Sequence, residues 1–179
     1  GVPTLSNIQN VGLSYPTTAF HEAHGFHPTE NKILFAADTG LGSQAQYNID
    51  INEKNVDSGV TTNFDKSCLE WDEHANYSPD GRFMAWCSSQ GIGWDGRRLD
   101  NLRLEIWIRR LSDGRKQRVT FFNDSAAAEY RGTAAKFPVL ATQSIWRQTG
   151  AGTWQLFVSS NIFGTAFQVW RFDLTETGA

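Results

Sequence analysis

The stretch Trp71 to Ser88, WDEHANYSPDGRFMAWCS, recurs in altered letters at Phe20 to Ala37, FHEAHGFHPTENKILFAA, displaced by 51 positions with no gap. Glu22 falls on Glu73 and Pro28 on Pro79, while aromatic residues coincide at Phe20/Trp71, Phe26/Tyr77 and Phe35/Trp86. An ordered set of matches like this is the trace of a structural repeat, and a period of roughly 40–50 residues indicates stacked supersecondary units.

A third copy lies further on. SIWRQTGAGTWQLFVSS, Ser144 to Ser160, sets Trp146 against Tyr77 and Phe157 against Trp86 with a turn two residues longer. LEIWIRRLSDG (Leu104 to Gly114) matches FQVWRFDLTET (Phe167 to Thr177) at an offset of 63, so that Trp107 meets Trp170 and Leu111 meets Leu174. The first copy has a weaker counterpart in QYNIDINEKN, Gln46 to Asn55.

Each copy reads as four strands. A short strand ends near Phe26 or Tyr77, and SPDG at Ser78 to Gly81 places Pro and Gly where a β-turn needs them. The runs Ile33–Ala37, Phe83–Ser88 and Trp154–Ser159 are almost continuously apolar, as expected of a strand covered on both faces. An alternating strand follows, Leu104 to Ile108 in the second copy, and an SDG turn leads to a fourth, Gln117 to Phe121. Glycine and β-branched residues interrupt every long window, so helix is a poor fit. The best helical candidate, Ser125 to Tyr130, is read as one turn or a loop insertion.

Four-stranded repeats of this length are the mark of a β-propeller. YSPDGRFMAWCSS followed by LEIWIRRLSDGRKQRVTFF resembles the repeat of TolB-like propellers, a family akin to WD-repeat propellers. The expected fold is therefore all-β: about three four-stranded antiparallel blades of a partial propeller over 20–179. The blades run about 20–63, 71–122 and 137–179, and the N-terminal segment 1–19 is a candidate outer strand through Leu5 to Leu13. Rings close with roughly four to eight blades. Three blades imply a longer protein, a second copy or partner that completes the ring, or a twisted sandwich that imitates blades. If the flanks are open, Phe35 on the first blade and Phe157 and Trp170 on the third should be uncovered.

The 179 residues are 40% hydrophobic and 20% charged with a net charge of −3, which excludes wholesale disorder and any general attraction to nucleic acid. No apolar run approaches the roughly 20 residues of a membrane-spanning helix. The chain opens on Gly1 with no legible signal peptide, the expectation being a processed product or a piece of a longer chain. The basic residues Arg109, Arg110, Arg115, Lys116 and Arg118 read as a solvated strand edge. Cys68 and Cys87 match no metal or redox spacing; Cys87 reads as a buried thiol, and a disulfide between them is the alternative.

The segments His21–His24 and Asp72–His74 enter the innermost strands, which line the central channel of a propeller. They hold three of the four histidines and three acids. A hydrogen-bonded polar lining without metal or cofactor is the reading adopted. The alternative is a Zn²⁺ or Mn²⁺ patch, and hence a metal-dependent lyase or hydrolase, built from His21, His24 and His74 with Glu22 or Glu73. Strand alternation argues against convergence of His21, His24 and His27 from one strand. No nucleophile elbow is present. The loop SSQGIGWDGRRLDN, Ser88 to Asn101, supplies the candidate partner-binding residues Trp94, Asp95, Arg97 and Arg98, set against a loop that folds back over its own blade. Trp94 alone among seven tryptophans escapes the repeat, which leaves a carbohydrate-binding module as a third reading. The resemblance implies a non-enzymatic protein-interaction or scaffold module, an accessory subunit in a bacterial periplasmic or extracellular setting, with a protein partner or second copy completing the ring.

Overall fold

The computed structural model describes residues 2, 4–6, 8, 10–11, 20–38, 49–64, 70–94, 99–131, 138–164 and 166–176. They form eleven strands in three antiparallel sheets, each running in simple chain order. The first sheet contains β1 (His21–Phe26), β2 (Lys32–Asp38), β3 (Ile49–Asn55) and β4 (Thr61–Asn63). The second contains β5 (Asp72–Tyr77), β6 (Phe83–Ser88), β7 (Glu105–Arg110) and β8 (Lys116–Arg118). The third has three strands among the described residues, β9 (Ala141–Gly150), β10 (Thr153–Ser160) and β11 (Gln168–Thr175). Isolated parallel pairings, Ile49 with Trp71 and Leu104 with Leu140, lead each sheet into the next. The fold is all-β, with sheets stacked as successive propeller blades are.

Local chemistry explains the hairpins. In Ser78–Gly81 the Ser78 hydroxyl donates to Asp80 (2.6 Å) and accepts from the Phe83 amide (3.0 Å), while Gly81 takes φ +67° to close the turn onto Ser78 O. That conformation costs glycine nothing and costs an L side chain roughly 1–2 kcal/mol. Strand β8 ends at Arg118, short of the expected Phe121, and Ser125–Tyr130 is a run of turns. The one helical element among the described residues is the 3-10 turn Leu99–Asn101. Among the described residues no helix is long and apolar enough to cross a membrane. Among the described residues of 2–11 none joins a strand, and Leu5 and Ile8 stand in solvent.

Two cores separate the three sheets. Leu34, Ala36, Ile49 and Ile51 pack against Ala75, Tyr77, Met84 and Trp86. On the other side Ala85, Cys87, Leu104 and Ile106 meet Val139, Ala141, Leu156 and Val158. Strand β6 therefore sends Met84 and Trp86 one way and Ala85 and Cys87 the other, which is why it is apolar throughout. A large aliphatic or aromatic side chain buried this way contributes about 1.5–3 kcal/mol.

The structure corrects the alignment of the third copy. Trp86 pairs with Trp107 across β6 and β7, whereas Trp170 pairs with Val158. Tyr77 pairs with Met84, and Trp146 with Leu156. The counterpart of Trp86 is thus Val158, and the hairpin is three residues longer than its equivalent rather than two. One residue of slip inverts a strand, so Phe157 points to the outer face while Leu156 and Val158 enter the core. The expectation of an uncovered first sheet also fails: Phe35 is 1% exposed, with the His21 ring 6.3 Å away. That side of β3 carries the buried polar residues Asp50, Asn52 and Lys54 rather than an apolar face. Trp170 is half-buried against the second core.

Candidate functional site

Strands β1 and β5 lie side by side as the inner strands of neighbouring sheets, and each carries a bulge in the same region. The register shifts between Ala23 and Phe26 in β1 and between Glu73 and Asn76 in β5. An extra residue breaks the two-residue alternation and re-aims side chains beyond it. In β5 the bulge holds His74 at φ +57°, the left-handed region, where histidine is uncommon but tolerated. Glycine inside a strand is a recognised sign of a bulge, and Gly25 marks the one in β1. A Cβ there would lie 2.9 Å from Asn76 Oδ1, so the two strands approach at a position where glycine is needed.

Beside the bulges Glu22, His24 and His74 come together. One ligating atom from each lies within 4.8 Å of the others, and all three residues are half-buried. The His24 and His74 rings meet edge to face at 5.5 Å, and His24 Nε2 accepts a hydrogen bond from the His74 backbone N–H at 3.2 Å. In this arrangement the Nε2 lone pair is held within the protein. Burial drives the His24 pKa down to about 4, with repulsion from His74 adding to it, and burial also lowers that of His74, Glu22 opposing. Both imidazoles are accordingly neutral near pH 7.

Glu73 stands behind this group. Its carboxylate accepts the Trp71 indole N–H at 2.7 Å and lies 3.9 Å from His74 Nε2. Burial raises its pKa to about 7 against the pull of the Trp71 hydrogen bond, and the charge of Glu22 raises it further. Asp72, fully buried, instead accepts from the Trp86 indole at 3.0 Å and belongs to the core. His21 sits against Phe35. His27 is a turn cap: its Nδ1 accepts from the Thr29 and Glu30 amides, and its ring packs edge-on against Tyr77 at 4.8 Å. Of the residues singled out from the sequence, His24, His74 and Glu22 converge, Glu73 flanks them, and His21 takes no place in the group.

The remaining sequence candidates fall elsewhere. Trp94 is half-buried with its ring edge-on to Trp71 at 6.4 Å, so the loop's tryptophan rests on its own sheet. Asp95, Arg97 and Arg98 lie outside the described residues, as does Cys68. Cys87 is a buried free thiol that donates to Glu73 O at 3.2 Å, and burial pushes its pKa well up. Four residues of the basic stretch are engaged within the protein, Arg109 by the end of the first sheet and the others by their own. Arg109 donates to Phe64 O and lies over the Phe64 ring, Arg110 pairs with Asp113 at 2.6 Å, Arg118 pairs with Asp124 at 2.6 Å, and Lys116 covers Trp107.

A second feature is the outer face of the third sheet. There Ile145 is 71% and Val169 70% exposed, with half-buried Phe157 paired to Ile145 across β9 and β10. Gln155 and Asp173, hydrogen-bonded at 3.1 Å, and Arg171 supply a polar surround. The corresponding face of the second sheet, Ala85, Cys87, Leu104 and Ile106, is fully covered by the third.

No family model matches the chain. It is 38% identical over 70 residues to dipeptidyl-peptidase 5 of Porphyromonas endodontalis, a match covering 38% of this chain and 10% of that protein. It is 30% identical over 76 residues to dipeptidyl-peptidase 5 of Porphyromonas gingivalis, covering 41% and 11%. The matched part is about a tenth of the length of these curated relatives. Among solved structures, TolB from Acinetobacter baumannii aligns over 88% of this chain and 32% of its own at 17% identity, with a TM-score of 0.42. The tricorn protease aligns over 74% of this chain and 10% of its own at 19% identity, with a TM-score of 0.44.

Proposed function

We propose that the chain is a protein-interaction module that docks a further β-sheet onto the outer face of its third sheet, without catalytic chemistry of its own. The observation that carries this reading is the contrast between equivalent faces. The second sheet buries its apolar face completely, while the third holds Ile145, Val169 and Phe157 toward solvent. Contiguous exposed apolar residues rimmed by polar ones characterise interaction surfaces, and sheet-on-sheet stacking is how this molecule already covers such faces. The occupant is a sheet of the same kind, from a second copy of the chain or from another protein of its assembly. An accessory role in a bacterial periplasmic or extracellular setting belongs to the same reading and rests on the resemblance of the repeat.

Sedimentation of the chain beside an Ile145→Glu/Val169→Glu variant tests it, since both positions are exposed and the variant should keep its fold by circular dichroism. Concentration-dependent association in the parent, or a photo-crosslink from position 145 to a partner chain, with loss of either in the variant, is the expected result. A parent that stays monomeric, gives no crosslink and behaves like the variant would overturn the reading. The segment matches to two dipeptidyl-peptidases favour a second reading, in which these sheets accompany peptidase chemistry carried elsewhere in a longer protein. Dipeptide release by the full reading frame but not by this chain would support it.

A further inference from the structure

We propose that Glu22, His24 and His74 form a binding site for a divalent transition-metal ion of the zinc class, bridging the first and second sheets. Three observations carry this independently of the docking face. The three side chains come from two strands of different sheets, yet place one ligating atom each within 4.8 Å of one another. Each strand carries a bulge beside the group, at Ala23–Phe26 and at Glu73–Asn76, and in the second the backbone of His74 adopts a left-handed φ of +57°. Backbone conformations of that kind gather at ligand sites. Behind the group, the Glu73 carboxylate lies 3.9 Å from His74 Nε2 and is itself anchored by the Trp71 indole. A carboxylate close to a ligating imidazole helps to orient it.

The donor set selects the ion. Two imidazoles and one carboxylate suit Zn²⁺, with Mn²⁺ a weaker competitor, whereas Ca²⁺ and Mg²⁺ require an oxygen shell. Three protein ligands leave the fourth tetrahedral position to water. Bonds of roughly 2.0–2.2 Å require the ligating atoms to draw in, and half-buried side chains have the freedom to do so. Ligation through His24 Nε2 would displace the hydrogen bond that it accepts from the His74 amide, whereas ligation through Nδ1 would keep it. At 3.2 Å that bond is at the long end of the range, and one such bond contributes far less than three metal–ligand bonds.

The test is titration of the chelator-treated chain with ZnCl₂ by calorimetry, together with elemental analysis and thermal melts with and without Zn²⁺. About one equivalent should bind and the melting temperature should rise, because the ion ties two sheets of the folded state. Glu22→Gln, His24→Gln and His74→Gln should each weaken binding by at least about tenfold, and His21→Gln should not. Glu22→Gln, at a half-buried position, serves if either histidine variant misfolds. No binding by the parent, or affinity unchanged in Glu22→Gln and in the folded histidine variants, would overturn the proposal. Equal loss in His21→Gln would also overturn it, since the site would then lie elsewhere.

Discussion

Asn76 joins the second and third sheets. Its side-chain amide donates to Ser144 O at 2.9 Å, and its own carbonyl accepts the Trp146 indole N–H at 3.1 Å. Gly25, on the first sheet, leaves the room that Asn76 Oδ1 occupies. Gly25→Ala would put a methyl 2.9 Å from that oxygen and 3.4 Å from Ala75 O. Because Asn76 is held at its other end, it cannot simply swing aside. The cost should be about 1–3 kcal/mol, the usual range for overpacking, read as a lower urea midpoint. An unchanged midpoint would mean that the approach of β1 to β5 is looser than the structure shows. The repeat exposes Gly25 as a departure from Asn76 at the matched position, but the reason for it appears only once the two strands are neighbours.

In β10, buried and outward residues alternate strictly: Trp154, Leu156, Val158 and Ser160 face the second sheet. Leu156→Ala should therefore destabilise the protein by about 2–5 kcal/mol through transfer and cavity terms. Phe157→Ala, a larger deletion in volume, should cost less than about 1 kcal/mol in the isolated chain because its side chain lies on the outer face. Denaturant unfolding of the two variants measures the difference, and equal or reversed costs would restore the register in which Phe157 matches Trp86. Aromatic matching in the sequence favoured that register because it pairs like with like. A loop of different length between β9 and β10 left no local mark of its extra residue. Only the cross-strand pairs Leu156–Trp146 and Val158–Trp170 place it.

Across the molecule, the sheets stack in sequence order with the second one in the middle. Strand β6 is inside its sheet and covered on both faces, whereas among the described residues β11 is an edge strand with exposed Val169, Arg171 and Asp173. Backbone openings follow burial and edge position. Native-state hydrogen exchange should therefore be slowest at Met84–Cys87 and clearly faster along β11. Faster exchange in β6 than in β11 would show that the sheets do not share the cores assigned to them.

The sequence by itself determined the class of the fold and its repeat. A run such as FMAWCS, apolar at every position, is compatible with a strand only when both faces are covered, and turn chemistry at SPDG and SDG sets where each hairpin reverses. It also named the residues of the candidate site, since Glu22, His24, Glu73 and His74 stand out as polar groups entering inner strands. What it could not settle was which of them meet. Strand alternation separates His21 and His27 from His24, as found, and puts Glu22 and His24 on one face, but it does not say that β1 and β5 are neighbours or that His74 sits in a bulge beside them. The exposure of Phe157 and Ile145, and the burial of Phe35, likewise depend on register and on sheet order. Those are properties of pairings between distant segments, and no single segment encodes them.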